Sequence, residues 1–473
     1  MAPATPTEQE RIDERGISTL RAGLNGQVIT PLDRDYGEAR RVWNGMIDRY
    51  PALVVRCGDA SAVAATIRFA RDHRLPLAVR GGGHSAPGFG VCDGGVVADL
   101  SPLRSVVVDP SARQAWIGGG ALWADVDGQT QTHGLAVTGG LVTHTGVGGL
   151  ALGGGIGHLM RRCGLTCDNL TAADLVTADG ELIYVGEGAH EDLLWGLRGG
   201  GGNFGVVTRF RFRLHPVGPT VLAGAVLYPL EKGVEILRRY REWVADVPDD
   251  LTTVVALRSA PQAPFVPAEF HGKPVVAVAV CWSGPLDEGE KVVRPLRSFP
   301  GRIADAITYK PYLEHQHAFD ASAPHGRHHY KKNANLPALS DQAIDTLIEC
   351  AQARTSAWSV TLIFQLGGAV GRVAEDGTAY SDRAAAFNVD IDAQWDGDDA
   401  RSDDHIAWVR KCHESLRPFT TGGSYVNFLM GDEGADRVRM VYGNDKYERL
   451  VTLKHRYDPG NVFKLNQNIA PPS

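Results

Sequence analysis

Two short segments carry residue types able to do covalent chemistry. In Arg80-Gly81-Gly82-Gly83-His84-Ser85, three glycines follow the apolar run Leu75 to Val79. Successive glycines expose backbone N–H groups with no Cβ in the way, as the pyrophosphate of a dinucleotide needs for close approach. The His84 imidazole then stands where it can attack or orient whatever lies beyond the phosphates. In Gly164-Leu165-Thr166-Cys167-Asp168-Asn169-Leu170, a cysteine follows closely on Arg161 and Arg162. A thiol attacks as its thiolate, which neighbouring positive charge and backbone dipoles favour. Cys163 and Cys92 are read as structural.

Between these segments, residues 139–157 are dense in glycine yet interleaved with Leu141, Val142, Val147, Leu150, Leu152 and Ile156. That is too apolar for a solvated linker, so backbone packed against a ligand is expected in place of ordinary secondary structure. Downstream, period-two geometry on the strand expected at 387–395 puts Asn388, Asp390 and Asp392 on one face, an unusual polar run for a core. Gln365, on a strand at 361–366, is a weaker candidate for the same surface. Five histidines crowd residues 315–329, but Pro324 and Gly326 break any regular spacing. They are read as a polar substrate rim or plain surface, and no metal is assigned.

The positioning elements are of mixed type. β-Branched runs at 53–55, 77–79, 96–98 and 105–108 alternate with a helical pattern at 61–73, and a second helix is expected from 122 to about 133. Strands at 173–177 and 181–185 flank the turn Ala178-Asp179-Gly180, and a further strand runs over 205–214. From about 218 to 420, strands (221–228, 275–282, 358–366, 386–391) alternate with helices (232–247, 341–353, 404–416), which suits an antiparallel sheet carrying helices on one face. An amphipathic helix is expected over Glu8 to Leu20.

Arg80 to Ser85, the glycine-dense stretch, Cys167-Asp168-Asn169, Asn203-Phe204-Gly205-Val206-Val207, Tyr425-Val426-Asn427 and the terminal Asp458 to Ile469 occur in a characteristic order. In that order the chain resembles the berberine-bridge-enzyme-like flavoproteins of the vanillyl-alcohol-oxidase superfamily over nearly its whole length. The resemblance implies an α+β fold with a PCMH-type FAD-binding domain at 1–217, a substrate domain with a large antiparallel sheet at 218–420, and a return segment at 421–473. It implies FAD joined through its 8α-methyl to His84 and through ring carbon C6 to Cys167. FAD is placed against Arg80, Gly81, Gly82, Gly83 and Ser85, against Gly139, Gly140, Thr145, Gly146, Gly149, Gly153, Gly154 and Gly157, and against Asn169, Val207, Tyr425, Asn427 and Asn466.

Tyr425 matches the family tyrosine that takes the hydroxyl proton as a carbinol hydride leaves for flavin N5. A phenol with a pKa near 10 is a poor base at neutral pH and needs a partner, for which Asp390 is the candidate. Tyr330, Gln365, Asn388 and Asp392 are the candidate substrate contacts. Val147 lies near the family's dioxygen gate and is small, so the implied activity is an oxidase that releases hydrogen peroxide from a bulky hydroxylated substrate, an oligosaccharide or a secondary-metabolite alcohol. A dehydrogenase or alkaloid C–N oxidase of the same fold, and a flavin-binding protein without turnover, are the alternatives.

Composition bounds the remaining classes. With 473 residues, 43% hydrophobic and 22% charged, the chain can build cores without staples. Its net charge of -7, with no basic stripe, argues against nucleic acid as a partner. Seven scattered cysteines form neither a disulfide framework nor Cys-x-x-Cys pairs. No basic and apolar leader opens the chain and no long apolar run follows, so no membrane association and a cytoplasmic location are expected. Gly146-x-Gly148-x-x-Ala151 imitates a nicotinamide-binding fingerprint, but no buried strand precedes it and further glycines follow.

Overall fold

The computed structural model describes residues 14–472. Its first helix is Glu14–Gly23; the onset expected at Glu8 lies outside the described residues. The fold is α+β, built on three main sheets.

The first sheet has the order Gly26–Ile29, Leu53–Cys57, Val96–Asp99, Leu77–Arg80. Its last three strands are parallel, and each is buried along nearly its whole length, as a sheet covered on both faces requires. The crossover helix Ala60–Asp72 starts at Asp59, whose carboxylate accepts from Ala62 N–H, and buries Val63, Ile67 and Ala70 at helical spacing. Strand Leu77–Arg80 therefore ends at a fixed height and delivers the Gly81–Gly83 turn. Arg80 is pinned there by an ion pair of 2.9 Å to the buried Asp99.

The second sheet is antiparallel, in the order Val106–Asp109, Gln114–Gly118, Val206–Arg213, Leu170–Val176, Leu182–Gly186. Helices Ala435–Tyr442 and Asn444–Tyr457 pack into its core through Val438, Val441, Leu450 and Leu453, so the end of the chain rejoins the part that began it. Residues 147–152 form a short helix inside the glycine-dense stretch, where irregular backbone was expected; it buries Val147, Ala151 and Leu152 against this sheet.

The third sheet is the largest, running Ala304–Asp305, Thr220–Pro229, Pro274–Trp282, Leu251–Ser259, Val360–Gln365, Phe387–Trp395, His328–Leu336, with Thr308–Pro311 also paired to Thr220–Pro229. All its pairings are antiparallel. Helices Gly233–Val244, Leu286–Arg297, Asp341–Gln352 and Ser402–Leu416 contribute to one core with Val389, Ile391, Ala393 and Trp395. The opposite face, carrying Asn388, Asp390, Asp392 and Gln394, turns away from the helices. No helix among the described residues is long and apolar enough to cross a membrane.

Candidate active site

A cavity of about 420 Å³ lies where the open face of the large sheet meets the two smaller sheets. One end is backbone: Arg80, Gly81, Gly82, Gly83, His84 and Ser85, with Gly140, Thr145, Gly146, Gly148 and Gly149 opposite. The two glycine loops touch main chain to main chain. A Cβ on Gly82 would lie 2.4 Å from Gly146 N, and one on Gly146 would lie 2.3 Å from Gly82 N. Among the described residues, the backbone N–H groups of Gly81 to Ser85 donate to no protein acceptor. A row of free donors in a cradle without Cβ atoms suits a dinucleotide pyrophosphate. Val207, Asn427 and Asn466 also line the cavity, and Asn466 leaves its buried Oδ1 without a partner.

His84 stands at the edge of this cradle. Its ring stacks on Trp43, with centroids 4.9 Å apart, and its Nε2 lies 2.6 Å from Nδ1 of His144. Burial, followed by the neighbouring His144 and His325, holds its pKa well below the usual imidazole value. The ring is therefore neutral and keeps a lone pair.

The far end is the sheet face. Asp390 is 1% exposed and accepts from Lys331 Nζ at 2.9 Å through Oδ2, while its Oδ1 has no partner. Burial, opposed by Lys331, pushes its pKa up to about 6. Asp392 accepts from Gln394 Nε2 at 2.9 Å, lies 3.2 Å from His329 Nδ1, and is 3.7 Å from Lys331 Nζ. Lys331 also sits 4.6 Å above the Phe428 ring. Ala256, Val360, Leu362, Phe364 and Phe428 make the intervening wall apolar.

Several expected residues are elsewhere. Cys167 is fully buried and does not line the cavity, and no cysteine does among the described residues. It packs with Ile156, Met160, Leu165, Tyr380 and Tyr425, and burial and then Asp168 raise its pKa well above the usual thiol value. Arg161 and Arg162 do not activate it: Arg161 donates to the carbonyls of Leu251 and Leu366, and Arg162 to that of Ser283. Gly139, Gly153, Gly154 and Gly157 are packing positions outside the lining; a Cβ on Gly153 would lie 2.0 Å from Asn427 Oδ1. Asn169 is buried structure, donating to the Cys163 and Leu165 carbonyls. Val147 faces the second sheet, leaving Gly146, Gly148 and Gly149 in the wall.

Tyr425 lines the cavity, but its hydroxyl accepts from Gly155 N–H at 2.9 Å and from Asn427 Nδ2 at 2.8 Å. Burial pushes its pKa up to about 12, and it makes no hydrogen bond to Asp390. The expected pairing fails because Asp390 is turned to Lys331 and the phenol is turned into the glycine loop. Tyr330 is on the helix side of the sheet, bonded to Asp432; Gln365, on the same side, donates to the Val244 carbonyl. Asn388 is outside the lining; its Nδ2 donates to Asn333 and Asn335, and its buried Oδ1 has no partner.

Sequence reasoning missed Lys331, Trp43 and His144, and took His329 only as one of five histidines. His329 and Lys331 alternate along His328–Leu336, a signal hidden by reading residues 315–329 as one histidine cluster. The cluster is in fact dispersed: His325 joins His84 and His144, with ring nitrogens within 4.8 Å of one another. His315 pairs with the buried His158, His317 with Asp320, and His328 packs edge-on to Trp395.

A cradle for a dinucleotide and a neutral histidine at its edge are matched by family comparison. Residues 51–186 match an FAD binding domain, and residues 424–470 match the family described as berberine and berberine like. An FAD-linked oxidoreductase of Dictyostelium discoideum is 31% identical over 461 residues, covering 96% of this chain and 97% of its own length. The chain belongs to the berberine-bridge-enzyme-like family of FAD-linked oxidoreductases. Within it, (R)-6-hydroxynicotine oxidase of Paenarthrobacter nicotinovorans is 30% identical over 458 residues, covering 95% of this chain and 97% of its own. Among solved structures, 6-hydroxy-D-nicotine oxidase from Arthrobacter nicotinovorans superposes with a TM-score of 0.85 at 28% identity, over 95% of this chain and 99% of its own. Glucooligosaccharide oxidase from Acremonium strictum, described with a 6-S-cysteinyl, 8α-N1-histidyl FAD, shares the fold with a TM-score of 0.85 at 20% identity, over 97% and 99%.

Proposed function

We propose that this oxidoreductase is an oxidase whose FAD is held by one covalent bond, from the 8α carbon to His84, and whose proton acceptor is Asp390. The observation that carries the reading is the unpartnered Oδ1 of Asp390 in the wall of a cavity that ends at the glycine cradle and His84. Bound there, FAD supplies a two-electron acceptor and passes the electrons to dioxygen as hydrogen peroxide. That no cysteine lines the cavity among the described residues supports a single tether. The names of the hydroxynicotine oxidase relatives, and a wall of Gly146, Gly148 and Gly149 with no bulky side chain, support dioxygen as acceptor.

The protein's own groups divide the work. Residues 1–217 and 421–473 hold the cofactor, and 218–420 present the substrate. Backbone N–H groups of Gly81 to Ser85 take the phosphates. Asp390, with a pKa of about 6, is mostly ionised at neutral pH yet basic enough to take a hydroxyl proton as the carbinol hydride leaves. Lys331 holds the carboxylate by Oδ2 so that Oδ1 faces the substrate. Phe364, Leu362 and Phe428 cover an apolar substrate body, which favours a secondary-metabolite alcohol over an oligosaccharide. A second reading, oxidation of a C–N bond with Asp390 receiving the amine proton, is supported by relatives named for an alkaloid substrate, hydroxynicotine.

Anaerobic mixing of the purified enzyme with apolar alcohols and with cyclic amines tests this. Flavin bleaching by an alcohol, with rapid recovery and peroxide in air, is the expected result. Bleaching by amines alone selects the second reading. Reduced flavin that persists in air would make the protein a dehydrogenase. Digestion and mass spectrometry are expected to find flavin on the His84 peptide only.

A further inference from the structure

The tautomer of His84 is tied to that of His144. His84 has one hydrogen bond among the described residues, between its Nε2 and His144 Nδ1 at 2.6 Å. A neutral imidazole carries one proton and one lone pair, so an imidazole that attacks through Nδ1 must carry its proton on Nε2. In that tautomer His84 Nε2 donates, and His144 Nδ1 is the acceptor that faces it. Stacking on Trp43 keeps the ring in that orientation.

We infer that His144 is the proton acceptor that makes His84 a nucleophile when the histidyl–flavin bond forms. The inference rests on the reading of His84 as the attachment residue. As the imidazole adds through Nδ1, it gains positive charge, and the Nε2 proton passes along the hydrogen bond to His144. The step balances. A bond forms between His84 Nδ1 and the 8α carbon, and one 8α C–H bond breaks with loss of its proton. The two electrons released pass through the flavin to dioxygen, which takes up two protons and leaves as hydrogen peroxide. His144 is thus a positioning and proton-accepting residue for cofactor attachment, with no part in substrate turnover.

A metal ion shared by His84, His144 and His325 is the competing use of these rings. The 2.6 Å contact is a hydrogen-bond separation. Two imidazole nitrogens on one tetrahedral zinc, each at about 2.0–2.1 Å, would stand roughly 3.4 Å apart. His325 also presents an edge-on ring to His84, at 85°.

The test follows the fraction of flavin that stays with the chain after denaturation, in full-length wild type, His144→Ala, His144→Gln and the control His325→Ala. Wild type and His325→Ala are expected to retain it. His144→Ala is expected to bind FAD natively, as its visible absorbance before denaturation reports, yet to hold at least about tenfold less covalently, with added imidazole restoring attachment. His144→Gln can accept the hydrogen bond but not a proton, and is expected to stay defective. Full attachment in either variant overturns the proton-acceptor role. Loss in His325→Ala that zinc reverses would replace it with the metal site. Wild type that releases its FAD overturns both this inference and the attachment reading beneath it.

Discussion

Asp390 and Asp127 are nearly the same residue in two different places. Each is about 1% exposed, each has one oxygen held by a single donor (Lys331 Nζ at 2.9 Å, Gln316 Nε2 at 2.8 Å), and each has an Oδ1 with no partner. Burial pushes their pKa values up to about 6 and about 7. They differ in what lies against the free oxygen. For Asp390 it is the cavity; Asp127 is outside that lining, on helix Trp123–Gln131, beside helix Tyr312–Gln316. A raised carboxylate pKa thus marks burial in both places, and only the cavity turns it into chemistry.

The comparison breaks if the two substitutions behave alike. Asp390→Asn should slow flavin reduction by at least about a hundredfold in stopped-flow mixing, the scale of losing a positioned base, while native FAD binding persists. In the wild type, reduction should quicken as pH rises through about 6, because Asp390 must be ionised to accept a proton, and the variant should lose that dependence. Asp127→Asn should leave reduction unchanged and alter stability. The folded chain keeps the Asp127 proton up to about pH 7, whereas the unfolded chain releases it near the ordinary carboxylate value. Its contribution is therefore full at acid pH and lost as pH rises through that window. Relative to wild type, the unfolding free energy of Asp127→Asn should rise between about pH 4 and about pH 7, by an amount on the order of a few kcal/mol, and then level off. A constant difference would show that Asp127 ionises normally.

The same contrast explains what was legible in the sequence. The cradle was, because Gly82 and Gly146 touch through backbone and nothing but glycine fits. So was the polar strand face at Asn388, Asp390 and Asp392, since period two puts alternate residues together whatever the tertiary structure. Periodicity does not say which face meets the ligand. Tyr330 and Gln365 were therefore misplaced, and only the register Lys331 to Asp392 brings Lys331 beside the two aspartates. Glycine density also has two causes in one segment: Gly146 and Gly149 face the cavity, whereas Gly153 and Gly154 make room for Asn427, Tyr380 and Tyr425. Nearness in sequence misled about the surroundings of Cys167: Arg161 and Arg162 bond elsewhere, and Asp168 is the neighbour that, after burial, raises the thiol pKa.

Tyr425 is the intermediate case, in the cavity wall with its hydroxyl turned away. Tyr425→Phe should slow reduction by less than about tenfold, since Asp390 remains. It should also lower stability by roughly 1–3 kcal/mol, because Gly155 N–H loses its acceptor. Stopped-flow reduction together with thermal unfolding separates the two effects. A hundredfold loss of rate at unchanged stability would return the phenol to the role of base.

The smallest expected effect is at Cys167. Its side chain is fully buried among Met160, Leu165 and Tyr380, and its N–H is held by the Gly154 carbonyl at 2.8 Å. Presenting the sulfur to a flavin would mean breaking that contact and moving the 154–155 loop that also binds the Tyr425 hydroxyl. Cys167→Ala should therefore leave the flavin's absorption spectrum and the mass of the His84 flavopeptide unchanged, with only the loss of about 1 kcal/mol that a small void costs. A changed spectrum, or a wild-type digest in which the Cys167 peptide carries flavin, would mean that this loop opens when the cofactor is loaded.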